Sequence, residues 1–123
     1  MKIFETEDSY HGKVNFVDVN NIFVGYDISS HCCEHFGYFI SENEEQNPRE
    51  DEGIKEGLEN YSFDKNYFSE NEADEDNGGI VRFKLVAENK PDLFLHLYNF
   101  HNGYYAHGFT FLDNGKIIKE SYI

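Results

Sequence analysis

Cysteine is nearly missing from this chain of 123 residues, and the two present, Cys32 and Cys33, are neighbours. A bond between adjacent cysteines is strained and no second pair exists, so a disulfide framework is excluded and both thiols are read as reduced. Long apolar runs are absent too: no stretch approaches the roughly 18 apolar residues that a membrane-spanning helix needs. The opening residues meet acid at Glu5 and hold no apolar run of signal length. No secretory or transit segment is therefore expected, no membrane partner is expected, and the reading places the chain in the cytoplasm. Without secretion, the glycosylation acceptor Asn60-Tyr61-Ser62 carries no meaning. Positive charge is the third scarcity, with 10 Lys and Arg against 24 Asp and Glu for a net charge of −14. That balance excludes the direct electrostatic route to nucleic acid, which needs clustered Lys and Arg. Gly-rich loops with a following Lys and Gly-x-Ser-x-Gly are both missing, which removes phosphate cradling and the esterase elbow.

What is abundant is aromatic. Twelve Phe and nine Tyr stand beside one Met and no Trp. Such rings suit pleated, half-buried surfaces, so composition leans to sheet. The length fits one domain over residues 1–123, and a chain of this mass buries roughly two-thirds of its unfolded surface, enough for a core without a metal. No cofactor is expected. Acid is concentrated: residues 41–76 hold 14 of the 24 Asp and Glu against Arg49, Lys55 and Lys65, which gives 3 − 14 = −11. Residues 41–78 are read as an acidic, loop-rich insertion. It is either a solvated connection or a surface that steers towards a basic protein partner.

Turn chemistry organises the rest. Leu93–Phe100, Tyr104–Leu112 and Lys116–Ile123 are separated by Asn102-Gly103 and Asn114-Gly115, pairs that tolerate the positive φ of tight hairpins, and the expectation is a three-stranded meander. In that register Phe94, His96, Tyr98 and Phe100 share one face with Tyr105, His107, Phe109 and Phe111. Both faces are largely apolar, which implies cover on each side. Lys13–Val19 and Ile22–Ile28 flank Asn20-Asn21 as a second hairpin, and Ile80–Ala87 follows Gly78-Gly79 as another strand. Tyr61–Phe68 is read as a strand although Tyr67 and Phe68 break its alternation. Glu50–Asn60 sets Ile54, Leu58 and Tyr61 at helical spacing despite Gly53 and Gly57, and predicts the one short helix. Ser30–Phe39 allows a turn and a half more, with Ser30 as cap. Residues 41–52 and 69–78 are read as loops. The fold class is mainly β: an antiparallel sheet of about six strands, curled or packed as a small sandwich.

Two motifs carry chemistry. His31-Cys32-Cys33-Glu34-His35 packs five potential ligands into five positions, but neighbours on an extended chain point to opposite sides, so a tetrahedral site would need further donors such as His96, His101 or His107. The bland reading buries a cysteine as a small hydrophobe and leaves His31, Glu34 and His35 on a turn. The second motif is His101-Asn102-Gly103-Tyr104-Tyr105-Ala106-His107. Here His96 and His107 are expected as diagonal neighbours on one face, either as buried neutral rings or as acid–base groups partnered by Glu34 or a thiol. Asp74-Glu75-Asp76 invites a calcium loop, but Leu85 stands where the twelfth-position acid would be needed.

On Cys32-Cys33-Glu34 and His101-Asn102-Gly103-Tyr104-Tyr105-x-His107, with Leu95-His96-Leu97 just before, the chain resembles an uncharacterised family of small bacterial and phage-associated proteins, a domain of unknown function. The resemblance covers the N-terminal hairpin and the C-terminal strands. It implies that the two motifs belong to one compact domain, and carries no activity with it. The functional expectation is a non-catalytic binding or inhibitor-type protein acting on a basic partner, with candidate binding residues Cys33, Glu34, His35, His101, Asn102, Tyr104 and His107. The alternative is a small metal- or thiol-dependent enzyme, or a small-ligand binder, built from the Cys32–His35 turn with His101 and His107.

Overall fold

The structure is a computed structural model that describes residues 1–8, 11–29, 35–45, 53–72, 79–100 and 106–123. Among the described residues ten strands occur and no helix: β1 (Lys2–Asp8), β2 (His11–Val17), β3 (Ile22–Asp27), β4 (His35–Ser41), β5 (Ser62–Phe63), β6 (Ser69–Glu72), β7 (Gly79–Val86), β8 (Leu93–Phe100), β9 (Gly108–Asp113) and β10 (Lys116–Tyr122). They pair antiparallel throughout, the first sheet in the order β1-β2-β3-β9-β10 and the second in the order β4-β8-β7-β5, with β6 also on β7. The sandwich form agrees with the sequence reading, and the count of about six strands is corrected to ten.

Period-two alternation builds the core. Val14, Phe16, Val24, Tyr26 and Phe111 of the first sheet are wholly buried, as are Val81, Phe83, Leu85, Leu95 and Leu97 of the second. Successive strand residues point to opposite faces, so each of these sets turns inward from its own sheet. Phe83 lies at the centre, edge-on to Phe111 at 5.0 Å and to Phe109 at 6.1 Å. Tyr26 crosses the layer and donates its hydroxyl to the Tyr98 carbonyl at 2.7 Å, which joins β3 to β8 with a polar tie.

Two turns follow their expected chemistry. Asn21 adopts φ 59° between β2 and β3, and Asn114 and Gly115 adopt φ 50° and 84° between β9 and β10. The buried Asp18 carboxylate organises the first of these, accepting from the backbone N–H groups of Asn20 and Ile22, each at 2.9 Å, and from Phe63 at 2.8 Å. One side chain thereby fixes a turn and ties it to β5. β10 is an outer strand whose ladder with β9 slips between Ile117 and Lys119, leaving Ile118 as a bulge.

The C-terminal meander is corrected. β8 is paired along both of its edges, by β4 and by β7, while β9 pairs with β3 and β10. A strand has two hydrogen-bonding edges, so no edge of β8 remains for β9. Phe109 and Phe111 consequently join Leu93, Leu95 and Leu97 in the core instead of sharing a face with Phe94 and His96. The segment 101–105, with Asn102-Gly103, lies outside the described residues.

The short helix is corrected as well, over its described residues 53–60. Gly53 and Gly57 have φ of 78° and 75°, a left-handed conformation that no right-handed helix admits. The apolar spacing is satisfied differently: Leu58 and Tyr61 are buried in the core, and the Ile54 amide donates to the Ile40 carbonyl at 2.6 Å, so the segment runs beside β4. The Ser30–Phe39 turn is replaced by β4 from His35 onward, with 30–34 outside the described residues. The strand expected over Tyr61–Phe68 is confined to Ser62–Phe63, and Ser69–Glu72, read as loop, is β6.

Candidate functional site

The outer face of the second sheet carries the most developed polar arrangement. Strand register sets Phe39, His96, Arg82 and Ser69 in one row across β4, β8, β7 and β6, with Ser41, Phe94 and Lys84 in the next. Arg82, His96 and Ser41 are buried, at 5 %, 0 % and 3 % exposure, although they point away from the core. Arg82 Nε donates to His96 Nδ1 at 3.0 Å, so the neutral ring carries its proton on Nε2. That Nε2 donates to Ser41 Oγ at 2.8 Å, and the Ser41 hydroxyl donates to the Asn43 carbonyl at 2.9 Å. The His96 ring stacks on Phe39 at 4.1 Å. Burial, and then the charge of Arg82, depress its pKa to about 3.

A serine beside a histidine invites a nucleophile–base reading, and the geometry refutes it. A general base must offer a lone pair to the hydroxyl proton, yet Nε2 bears hydrogen and the serine proton is directed to a carbonyl. Both side chains are also sealed from substrate. The chain of bonds instead holds residues 42–45 against the sheet. Tyr67 extends this cover: its hydroxyl donates to Glu44 Oε1, and its pKa is pushed up to about 12, first by desolvation and then by that carboxylate. Desolvation lowers the Arg82 pKa, opposed by Tyr67, Glu44 and Glu45, so the guanidinium stays charged among acidic neighbours. With its amide oxygen turned to Arg82, Asn71 accepts from Nη1 at 3.0 Å.

Beyond this network the same face becomes aromatic. His35 lies 5.5 Å from Tyr98 and 6.4 Å from Phe100, and Tyr98 and Phe100 stack at 5.5 Å. Gly37 makes the arrangement possible, because a Cβ there would lie 2.7 Å from Tyr98 Oη.

Of the sequence-predicted residues, Cys33, Glu34, His101, Asn102 and Tyr104 lie outside the described residues. His35 is exposed and opens β4 opposite Phe100. His107 is fully buried, with Nδ1 2.6 Å from the Asp27 carbonyl and its ring stacked 4.2 Å from Phe36. The two therefore share one end of the sandwich, but β4 alternation places Phe36 inward and His35 outward, so the sheet stands between their rings. The expected neighbourhood of His96 and His107 is likewise corrected. His96 is on the outer face of β8, whereas His107 precedes β9 and bonds its backbone to Ile123 at 2.7 and 2.9 Å. Among the described residues no group of three His, Cys, Asp or Glu is placed to hold a metal ion. Ser41 and Arg82 went unnoticed in the sequence, since they lie 55 and 14 positions from His96 and only strand pairing brings them together.

Charge is distributed unusually. Among the described residues only two ion pairs form, Lys65–Asp113 at 3.3 Å and Lys84–Asp92 at 3.4 Å. Five lysines lie over rings, Lys84 in addition to its ion pair: Lys2 over Phe4, Lys13 over Phe23 and Lys119 over Phe68, each at 5.4 Å, Lys90 over Tyr61 at 5.7 Å and Lys84 over Tyr67 at 5.9 Å. Most carboxylates of the described surface are left without a cationic partner. No described helix is long and apolar enough to cross a membrane. Compared with protein families, curated proteins and solved structures, the chain matches no family model, no curated protein and no solved structure.

Proposed function

We propose that this is a non-catalytic binding protein of the cytoplasm, an accessory or inhibitor-type domain whose acidic side engages a basic protein partner, without direct contact to nucleic acid. The observation that carries the reading is the uncommitted acid. The chain carries a net charge of −14, and among the described residues two ion pairs form while five lysines are laid over aromatic rings. Carboxylates already paired inside a molecule offer little to a partner, whereas unpaired ones raise its association rate and lose that effect in salt. Glu44 and Glu45 stand at the rim of the second sheet, held there by the Ser41–His96–Arg82 network, and segment 46–52 continues the acidic run in sequence. The test captures partners from lysate on immobilised protein, identifies them, and remeasures each purified partner across salt. A basic partner whose affinity falls steeply between 50 and 200 mM salt (a range in which charge-driven complexes lose orders of magnitude), and falls again on neutralising Glu44, Glu45, Asp51 and Glu52, supports the reading. Affinity indifferent to both removes it.

One observation favours a second reading. The segments holding Cys32–Glu34 and His101–Tyr105 are flanked by residues at one end of the sandwich, where His35 pairs with Phe100 and His107 meets Asp27. A metal- or thiol-dependent site would assemble there. Protein purified without chelator and carrying one equivalent of zinc, iron or nickel, lost on replacing Cys33 or His107, would select it over the first.

A further inference from the structure

The outer face of the first sheet contains a hollow that neither functional reading uses. Gly25 faces Thr110 across the β3–β9 ladder, and Asp27 and Gly108, the next positions on the same face of their strands, line the same hollow. The glycines occupy one diagonal and leave the floor bare. Neighbouring side chains lean over them without filling the centre. Lys13 lies across Gly25, where a Cβ would stand 2.9 Å from its Nζ, and the Tyr122 ring lies across Gly108, 3.2 Å from where a Cβ would be. A cavity of about 220 Å³ remains, closed on the β10 side by Glu120 and Tyr122.

Two features give it chemical character. The Thr110 hydroxyl is buried in the floor with no hydrogen-bond partner among the described residues. A buried polar group in that condition costs free energy until a partner arrives. Charge is also one cation short. Asp27 and Glu120 supply two carboxylates and Lys13 one ammonium, and among the described residues none of the three forms an ion pair. Asp27 accepts from the Ser29 amide with one oxygen, at 2.8 Å, and its other oxygen has no hydrogen-bond partner among the described residues. The exposed face of Tyr122, with 73 % of its surface open, adds a quadrupole that attracts cations. An anion would meet two carboxylates and the overall field of an acidic protein.

We propose that this hollow binds a primary alkylammonium group, from a free aliphatic amine or from a lysine side chain. Its ammonium bonds Glu120, Asp27 and the Thr110 oxygen, and its alkyl stem rests on the Tyr122 ring. The volume, smaller than the pockets that hold drug-sized ligands, suits a stem of a few carbons.

The test titrates the whole chain with n-butylammonium chloride, and separately with Nα-acetyl-lysine amide, while recording backbone amide NMR shifts; sodium chloride at equal ionic strength and n-butanol are the references. Saturable shifts centred on Gly25, Gly108, Thr110 and Tyr122 are expected, with the dissociation constant raised at least fivefold in both Glu120→Gln and Thr110→Val. The spectra themselves report whether both variants remain folded. Saturation by butylammonium alone assigns the site to free amines, and saturation by the lysine derivative assigns it to side chains. Shifts no larger than those in sodium chloride, equal binding of n-butanol, or saturation untouched by either variant would overturn the proposal.

Discussion

The two sheets treat their outer faces differently. On the second, Arg82, His96 and Ser41 are buried under residues 42–45 and Tyr67, joined into a chain of hydrogen bonds that ends on a backbone carbonyl. On the first, Lys13, Asp27 and Glu120 stay at the surface, and Asn15 is buried only because its amide reaches the Phe4 carbonyl at 3.3 Å and Thr6 Oγ1 at 3.1 Å. The strand alternation is the same in both. What differs is cover, and cover turns polar side chains from solvated decoration into structural parts whose loss leaves buried groups unsatisfied.

Breaking the covered face should cost most. Arg82→Ala strands the His96 acceptor and removes a desolvated cation, and should lower unfolding free energy by roughly 3 kcal/mol or more in urea titrations. Lys13→Ala on the open face should change it by less than about 0.5 kcal/mol. Equal losses would erase the distinction between the faces.

Acid should sharpen the contrast next. The ordinary pKa of 6.5 applies to His96 in the unfolded chain, and about 3 in the fold. Between those values the unfolded state binds the proton and the folded state does not. The His96 contribution is therefore complete above pH 6.5 and is lost as pH falls towards about 3. Its slope is at most about 1.4 kcal/mol per pH unit. Urea midpoints measured across that window should fall more steeply for the wild type than for His96→Gln. Parallel curves would mean that the ring is not held neutral by its surroundings.

Effects smaller than the Arg82 loss come from the glycines of the 53–60 segment. Gly53→Ala combines positive φ with a Cβ 3.0 Å from the Phe39 Cβ and 3.2 Å from the Ile40 nitrogen, while Gly57→Ala has positive φ and no neighbour within 4 Å. Thermal unfolding should show a loss of about 1 kcal/mol for Gly57→Ala, the cost of a left-handed non-glycine residue, and a larger one for Gly53→Ala. The reverse order would show that the backbone is not held against β4 there.

Much of the fold was legible wherever local chemistry decides it. Alternation marked β2, β3, β7 and β8, and Asn20-Asn21 and Asn114-Gly115 marked their hairpins, because positive φ is a property of the turn residue itself. Partner choice was not legible. Asn102-Gly103 carries the same local signal as Asn114-Gly115, yet β8 takes as its neighbours β7, the strand before it across residues 87–92, and β4, more than 50 residues upstream, and nothing within 93–112 announces it. β1 escaped because Ile3 is the one apolar residue on its inward side, where Glu5 and Glu7 follow it and stay exposed, so no apolar alternation develops. Gly53 and Gly57 pointed against the helix from the start, and their positive φ shows that the cost of glycine outweighed the apolar spacing. The Ser41–His96–Arg82 network depends on register, which local spacing does not encode.

The bulge at Ile118 has a consequence for how copies of this molecule meet. β10 ends the first sheet with Ile117 and Ile118 exposed at 64 % and 39 %, the kind of greasy margin on which fibrils seed. One surplus residue puts the amides on either side of it out of step, so an incoming chain cannot zip along the rim in flat registry. The rim is sticky in composition but mistimed in geometry, and that mismatch guards an aromatic-rich protein against polymerising through its last strand.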